Sequence, residues 1–343
     1  MRKVIFRADG NAQIGLSHII RCLALSEILQ NEFSMRFALA ELTPEVLSLL
    51  NNTKLTFIPL LGPNSETAFL DHIKSDEIAV LDGYSFTQAF QQSVRARAKK
   101  LVFTDDLVSG HQVADVVINH SGGVSKNDYE AESYTQFCLG PHYAVLPPEF
   151  LRTDGFGLPS VNGPVFVSLG GADPKNMSLT VLKAIQQVDD MLPVQLVLEP
   201  FHPNRPAIEA FQTQLPNLTV LQNLTANQIV SELQQCSLAI TACSTIAYEV
   251  CAINRPLIAV ATADSQARLA QFLSDEKLAL SVNFPTLLSR LSPSLGLDTA
   301  LRLAIQSFQF SPEAVADTLM NQRRYFDGRS PERFRALFNS LSA

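Results

Sequence analysis

The sequence predicts an α/β protein of two Rossmann-like domains, each a parallel sheet covered by helices. Three observations carry that reading. The chain has 343 residues, and at about 100–200 residues per domain this length suits two separate cores. Short uninterrupted apolar runs recur along it, separated by segments of helical length. Runs of this kind suit strands buried on both faces, and their alternation with helices argues for βαβ units. Finally, a stretch holding Gly155, Gly157, Pro159 and Gly163 divides the chain into two similar halves, as a linker would.

The first half offers strands at Val4-Ile5-Phe6, Phe37-Ala38-Leu39, Ala79-Val80-Leu81, Leu101-Val102-Phe103 and Val116-Val117-Ile118. After the first of these, Ile20, Leu23, Ala24 and Ile28 recur at helical spacing and are expected on one buried face. The second half offers Val165-Phe166-Val167, Gln195-Leu196-Val197-Leu198, Thr219-Val220-Leu221, Leu238-Ala239-Ile240 and Leu257-Ile258-Ala259-Val260. Near the end, Ser311 is placed to cap a helix with Pro312 at its first position, and Gly328 interrupts that helix. Ser330-Pro331-Glu332 then starts another, with Phe334, Leu337, Phe338 and Leu341 on one face. The expected domains are 1–150 and 164–310, joined by a linker at 151–163 and followed by a helical segment at 311–343.

Composition excludes several classes. With 46% hydrophobic and 17% charged residues, the chain is neither disordered nor a low-complexity repeat. A formal charge of −7 argues against general binding to nucleic acid or an anionic membrane. The 5 cysteines are widely spaced without a C-x-x-C pair, so a disulfide scaffold or zinc finger is not expected. No apolar run reaches the length of a membrane span. We expect a cytoplasmic protein without stable membrane insertion.

Chemistry is expected where strands end, because ligands of open parallel sheets sit beyond the carboxyl ends of the strands. The first strand runs through Arg7-Ala8-Asp9 into a polar loop with Gln13 and Gly15, then into a helix near His18 and Arg21. A neutral imidazole there can accept a proton near pH 7; the bland alternative is a helix-cap histidine. Asp82, Tyr84 and Asp105 lie at two further strand ends, and Asp9, Asp82 or Asp105 could orient the ring. In the second half, Gly170, Gly171 and Asn176 form a Gly-rich turn before a helix. Exposed N–H groups of such a turn can hold phosphate oxygens, although the Lys-Ser/Thr ending of a P-loop is lacking. Ser244 and Thr245 start another helix, with Glu249 one turn on and placed for ribose hydroxyls. Gln266 follows the next strand. The histidines outside this set show no metal-ligand spacing.

These pieces together resemble the UDP-2,4-diacetamido-2,4,6-trideoxy-β-L-altropyranose hydrolases of pseudaminic acid biosynthesis. The similarity covers most of the chain: Phe6-Arg7-x-Asp9, Gln13-Ile14-Gly15, His18-x-x-Arg21, Leu81-Asp82-x-Tyr84, Asp105-Asp106, Asp128-Tyr129, Leu139-Gly140-Pro141-x-Tyr143-Ala144, Gly170-Gly171-x-Asp173-x-x-Asn176 and Ser244-Thr245 with Glu249. The resemblance implies a MurG-like GT-B fold, with the two domains facing across a cleft and a C-terminal helix returning to the first. It implies His18 as the base that activates water, a UDP site in the second domain, and attack at the sugar C1 with inversion. No metal or other cofactor is implied. The chain departs from the family pattern at Ser17 (usually Gly), at Pro147-Pro148 before Glu149-Phe150 (usually with Arg), at Cys243 (usually Gly or Ser) and at Asp264-Ser265-Gln266 (usually ending Asn-Gln). A GT-B glycosyltransferase using a UDP-amino sugar and a non-catalytic nucleotide-sugar binding protein remain as alternatives.

Overall fold

Nine strands of the first unit are β1 (Arg2–Ala8), β2 (Phe33–Leu39), β3 (Thr56–Pro59), β4 (Glu77–Asp82), β5 (Lys100–Thr104), β6 (His111–Gln112), β7 (Val116–Asn119), β8 (Glu130–Ala131) and β9 (Gln136–Leu139) in a computed structural model of the chain. The structure describes all residues except 1, 12–13, 51–52, 54, 62–63, 109, 171–172, 174–175, 199–201 and 283–295, and the side chains of 45 and 310. The main sheet has the order β3-β2-β1-β4-β5-β7-β9, and its pairings are parallel. β4 is buried along its whole length, as a central parallel strand covered on both faces must be. Helices α1 (Ser17–Leu29), α2 (Pro44–Leu50), α3 (Ser65–His72) and α4 (Gln88–Arg95) follow successive strands. Phe69, Phe90 and Val94 from α3 and α4 pack with Ile5, Ala79, Leu81 and Leu101 of the sheet.

In the second unit the strands are β10 (Val165–Ser168), β11 (Val194–Val197), β12 (Leu218–Leu221), β13 (Leu238–Ala242), β14 (Leu257–Val260) and β15 (Leu280–Val282). They pair in parallel in the order β12-β11-β10-β13-β14-β15. Between them run α5 (Met177–Val188), α6 (Arg205–Gln212), α7 (Ala226–Gln235), α8 (Thr245–Ile253) and α9 (Ala267–Asp275), with α10 (Leu297–Phe310) and α11 (Pro312–Tyr325) beyond. Val181 and Ile185 of α5 meet Leu301 and Ile305 of α10 in a core that includes Val167, Leu196 and Ile240.

The compact units are Met1–Pro148 with Arg329–Ala343, and Glu149–Gly328. The stretch 151–163, read as a linker, lies on the second unit, where buried Arg255 donates to the carbonyls of Phe156 and Gly157. The terminal segment divides at Gly328. Ser311 caps α11 by accepting from Ala314 N–H, and that helix stays with the second unit. Gly328 turns the chain at φ +71, where a Cβ would lie 2.6 Å from the carbonyl oxygen of Arg152. The last helix, α12 (Ser330–Ser342), packs on the first unit through Phe334 and Phe338, which meet Tyr143 and Phe33 edge-on.

One expected face is corrected in part. Ala24 and Ile28 are buried as expected, but Ile20 is 41% exposed; α1 also buries His18, Ile19, Cys22, Leu25, Ser26 and Leu29. The helix is rotated so that its polar residues His18 and Cys22 point inward to a charged partner in β4, described below. All 5 cysteines are free and buried, as small apolar residues would be.

Candidate functional site

Each sheet has one point where strand order reverses: between β1 and β4 in the first unit, and between β10 and β13 in the second. Connections leave neighbouring strands in opposite directions there, which opens a crevice at the carboxyl edge. In the first unit the register sets Ala8 against Asp82. The loop after β1 closes on itself through two backbone hydrogen bonds between Asn11 and Gly15, with Gly15 at φ +76. It then delivers His18 and Arg21, one turn apart on α1, to the end of β4.

The result is a buried ionic cluster. His18 Nδ1 lies 2.7 Å from Asp82 Oδ1. Arg21 donates to Asp82 through Nε at 2.7 Å and Nη2 at 2.6 Å. The same guanidinium donates to both oxygens of Asp106 at 2.8 Å. His18 and Asp82 are 2% and 1% exposed. A carboxylate only accepts hydrogen bonds, so Nδ1 of His18 carries the proton and Nε2 is the basic lone pair. That Nε2 is buried and has no hydrogen-bond partner. Tyr84 sets its ring edge-on to the imidazole, 4.6 Å between centroids.

Charge explains the rest of the cluster. Burial works to raise the Asp106 carboxyl, but the Arg21 guanidinium outweighs it and holds Asp106 below its ordinary range. His120, with Nε2 3.5 Å from Arg21 Nη1, is pushed down to about 4 by burial and by that cation, so it is neutral at pH 7. Asp105 points elsewhere. Its Oδ1 accepts from Leu107 N–H at 3.0 Å, its Oδ2 has no hydrogen bond, and burial raises its carboxyl. Arg7 and Asp9 form a separate pair at 2.7 Å. Arg7 lies over the Phe86 ring, and Asp9 accepts from Ala40 N–H. Asp82, rather than Asp9 or Asp105, orients the imidazole. Gln13 lies outside the described residues.

At the second reversal point Ser168 pairs with Thr241. Gly170 takes φ +86, a backbone conformation that favours glycine. Gly171 lies outside the described residues. The Gly-rich turn before α5 is expected to hold phosphate, and α5 departs from that. The buried Asp173 carboxylate accepts from Met177 N–H at 2.7 Å and Ser178 N–H at 2.8 Å, so a negative side chain already fills the place of an anion. Asn176, in left-handed backbone before α5, leaves a buried Oδ1 without a partner. α8 differs: Ser244 stands at its N-cap position without a side-chain cap bond, and both Ser244 and Thr245 are exposed. Glu249 is half-buried on α8, and burial pushes its carboxyl up to about 7. Gln266 turns its amide oxygen to Thr262 N–H at 2.8 Å.

Sequence reading missed the direct part of Asp106 and His120 in the cluster. The signal was present: Asp106 adjoins Asp105, and His120 directly follows β7, so each stands at a strand exit. Among the described residues no three His, Cys, Asp or Glu side chains are grouped so as to hold a metal ion. No described helix is long and apolar enough to cross a membrane.

Two parallel-sheet α/β units define a GT-B fold, and solved structures agree. MurG of Acinetobacter baumannii superposes with a TM-score of 0.65 at 12% identity, over 98% of this chain and 99% of that one. The spinosyn forosaminyltransferase SpnP gives 0.64 at 15% identity, over 100% and 99%. No protein-family profile matches the chain.

In sequence the chain is similar to three curated proteins. An uncharacterised protein of Methanocaldococcus jannaschii is 24% identical over 58% of this chain, and the match spans 43% of that protein's own length. The spore coat polysaccharide biosynthesis protein SpsG of Bacillus subtilis is 23% identical over 80% of this chain and 82% of its own. The UDP-2,4-diacetamido-2,4,6-trideoxy-β-L-altropyranose hydrolase of Campylobacter jejuni is 25% identical over 52% of this chain and 64% of its own.

Proposed function

We propose that the protein hydrolyses a UDP-linked 2,4-diacetamido-2,4,6-trideoxy hexose at C1 and releases UDP, a step of nonulosonate biosynthesis. The observation that carries this reading is the His18–Asp82 contact of 2.7 Å with Nε2 left buried and unpaired. A base held in one tautomer, with its lone pair unused, is what water activation needs. Similarity to the Campylobacter hydrolase supports the substrate class.

In this mechanism Nε2 takes a proton from water as the water oxygen attacks C1. The C1–O bond to the diphosphate breaks, its electron pair leaves with UDP, and the product first appears with inverted anomeric configuration. Asp82 keeps the proton on Nδ1 and stabilises the imidazolium that forms. Arg21 holds Asp82 in place from the other side. On the second unit, we assign the diphosphate to the α8 N-terminus with Ser244, Thr245 and Gly170, and the ribose to Glu249. A helix N-terminus favours anions.

The test is incubation with the UDP-linked diacetamido sugar in ¹⁸O water without acceptor. UDP release with label in the sugar is the expected result; label in UDP overturns C–O cleavage. A second reading is glycosyl transfer, favoured by superposition on a forosaminyltransferase. It requires UDP release only when an acceptor is added.

A further inference from the structure

We propose that a cavity of the first unit, beside the His18 cluster, is a subsite for an acylamino substituent of the sugar, read by Asp105 and Gln91. The cavity lies between the loops that follow β4 and β5, has a volume of about 230 Å³, and is lined by Tyr84, Phe86, Gln91, Phe103, Asp105 and Asp106 among others. Two of these residues belong also to the catalytic cluster. Tyr84 meets His18 edge-on, and Asp106 binds Arg21. A group in the cavity therefore lies beside whatever His18 faces.

The chemistry of the lining names the ligand. Gln91 and Asp105 are 6% and 4% exposed. Gln91 donates Nε2 to the Phe86 carbonyl at 3.0 Å, which fixes the amide and leaves Oε1 as an acceptor. That Oε1 is buried without a hydrogen bond, and Asp105 Oδ2 is buried with none within bonding distance, although the Tyr129 hydroxyl lies near its carboxyl. Unpaired buried acceptors cost free energy and call for an explanation; a ligand donor supplies one. A hydroxyl or ammonium is about the size of a water, roughly 30 Å³, and would leave most of the cavity empty. A secondary amide brings an N–H donor to the acceptors and a short alkyl group to Phe86 and Phe103. Neither oxygen is used in the mechanism above, and Gln91 was not among the sequence-predicted site residues.

The link to a nucleotide sugar rests on the proposed hydrolase reading, so two experiments separate the claims. Crystals soaked in N-methylacetamide or in methyl acetate test the subsite alone. The amide should occupy the cavity with its nitrogen at Asp105 Oδ2 or Gln91 Oε1, and the ester, which lacks the donor, should not. An empty cavity, or equal occupancy by the ester, overturns the subsite. Calorimetry then compares UDP-N-acetylglucosamine, UDP-glucose and UDP. The wild type should prefer the acetamido sugar by about tenfold over UDP-glucose. Asp105→Asn, checked for folding by its thermal melt, should erase that preference while UDP affinity stays unchanged. A preference that survives Asp105→Asn overturns the assignment. Failure of UDP itself to bind overturns the nucleotide reading and leaves the soak to decide the subsite.

Discussion

The β1–α1 and β13–α8 junctions occupy the same place in the same architecture and are built from opposite materials. At the first, His18, Arg21, Asp82 and Asp106 are packed into a desolvated network. At the second, the helix begins with exposed Ser244 and Thr245, and Glu249, one turn along it, sits under burial that favours its neutral form. Strand reversal gives both a crevice at a helix N-terminus. What differs is whether the crevice is already full of charge. A full one fixes proton positions; an open one offers N–H groups to an incoming anion. α5 shows the intermediate case, an N-terminus closed by its own Asp173.

The largest effect is expected from emptying the first junction. His18→Asn should lower kcat for UDP release by about 10²–10⁴-fold, the usual worth of a general base, with UDP affinity unchanged by calorimetry. Asp82→Ala should do the same and also destabilise the protein by about 3–5 kcal/mol in denaturant unfolding, because Arg21 is left buried with one carboxylate instead of two. Wild-type turnover in His18→Asn would remove the mechanism.

Filling the second junction sharpens the contrast. Ser244→Asp should place a carboxylate at the α8 N-terminus, as Asp173 does at α5. The helix gains about 0.5–1 kcal/mol from the cap and dipole, while UDP affinity falls by about tenfold through like-charge repulsion. A more stable variant with unchanged UDP binding would take the phosphates away from α8.

The smallest effect concerns Glu249. Its carboxyl is raised by burial from 4.5 to about 7, so the folded state holds a proton that the unfolded chain releases near 4.5. That contribution to stability is full below pH 4.5 and is lost as pH rises through about 7. Glu249→Gln should therefore raise the melting temperature at pH 8 by roughly 2–4 °C and leave it unchanged at pH 4. If the carboxylate accepts ribose hydroxyls, wild-type UDP affinity should increase from pH 6 to pH 8, and Glu249→Gln should flatten that profile.

Much of this molecule was legible in the sequence, and for a local reason. Buried parallel strands are continuous apolar runs, and each such run lies in a strand of the structure, with only Leu198 falling just past its end. Edge strands β3 and β9 were not legible, because their burial is broken by exposed residues. The Ser311 cap and the Phe334–Phe338 stripe were readable because a cap and a helical face are encoded within a few residues. So was the placement of His18 at the start of the helix that follows the first strand.

What the tertiary structure alone decided are the pairings between distant residues. Three carboxylates stood as candidates to orient His18, and the choice of Asp82 follows from β4 lying beside β1 with Ala8 in register with Asp82. The rotation of α1, which turns Ile20 outward and His18 inward, follows from the same partner. Asp173 closing α5 depends on a turn whose shape its composition does not specify. A sequence states which residues must be buried and with what period; which buried charge meets which is settled only when strand order and register bring segments more than sixty residues apart to one sheet edge.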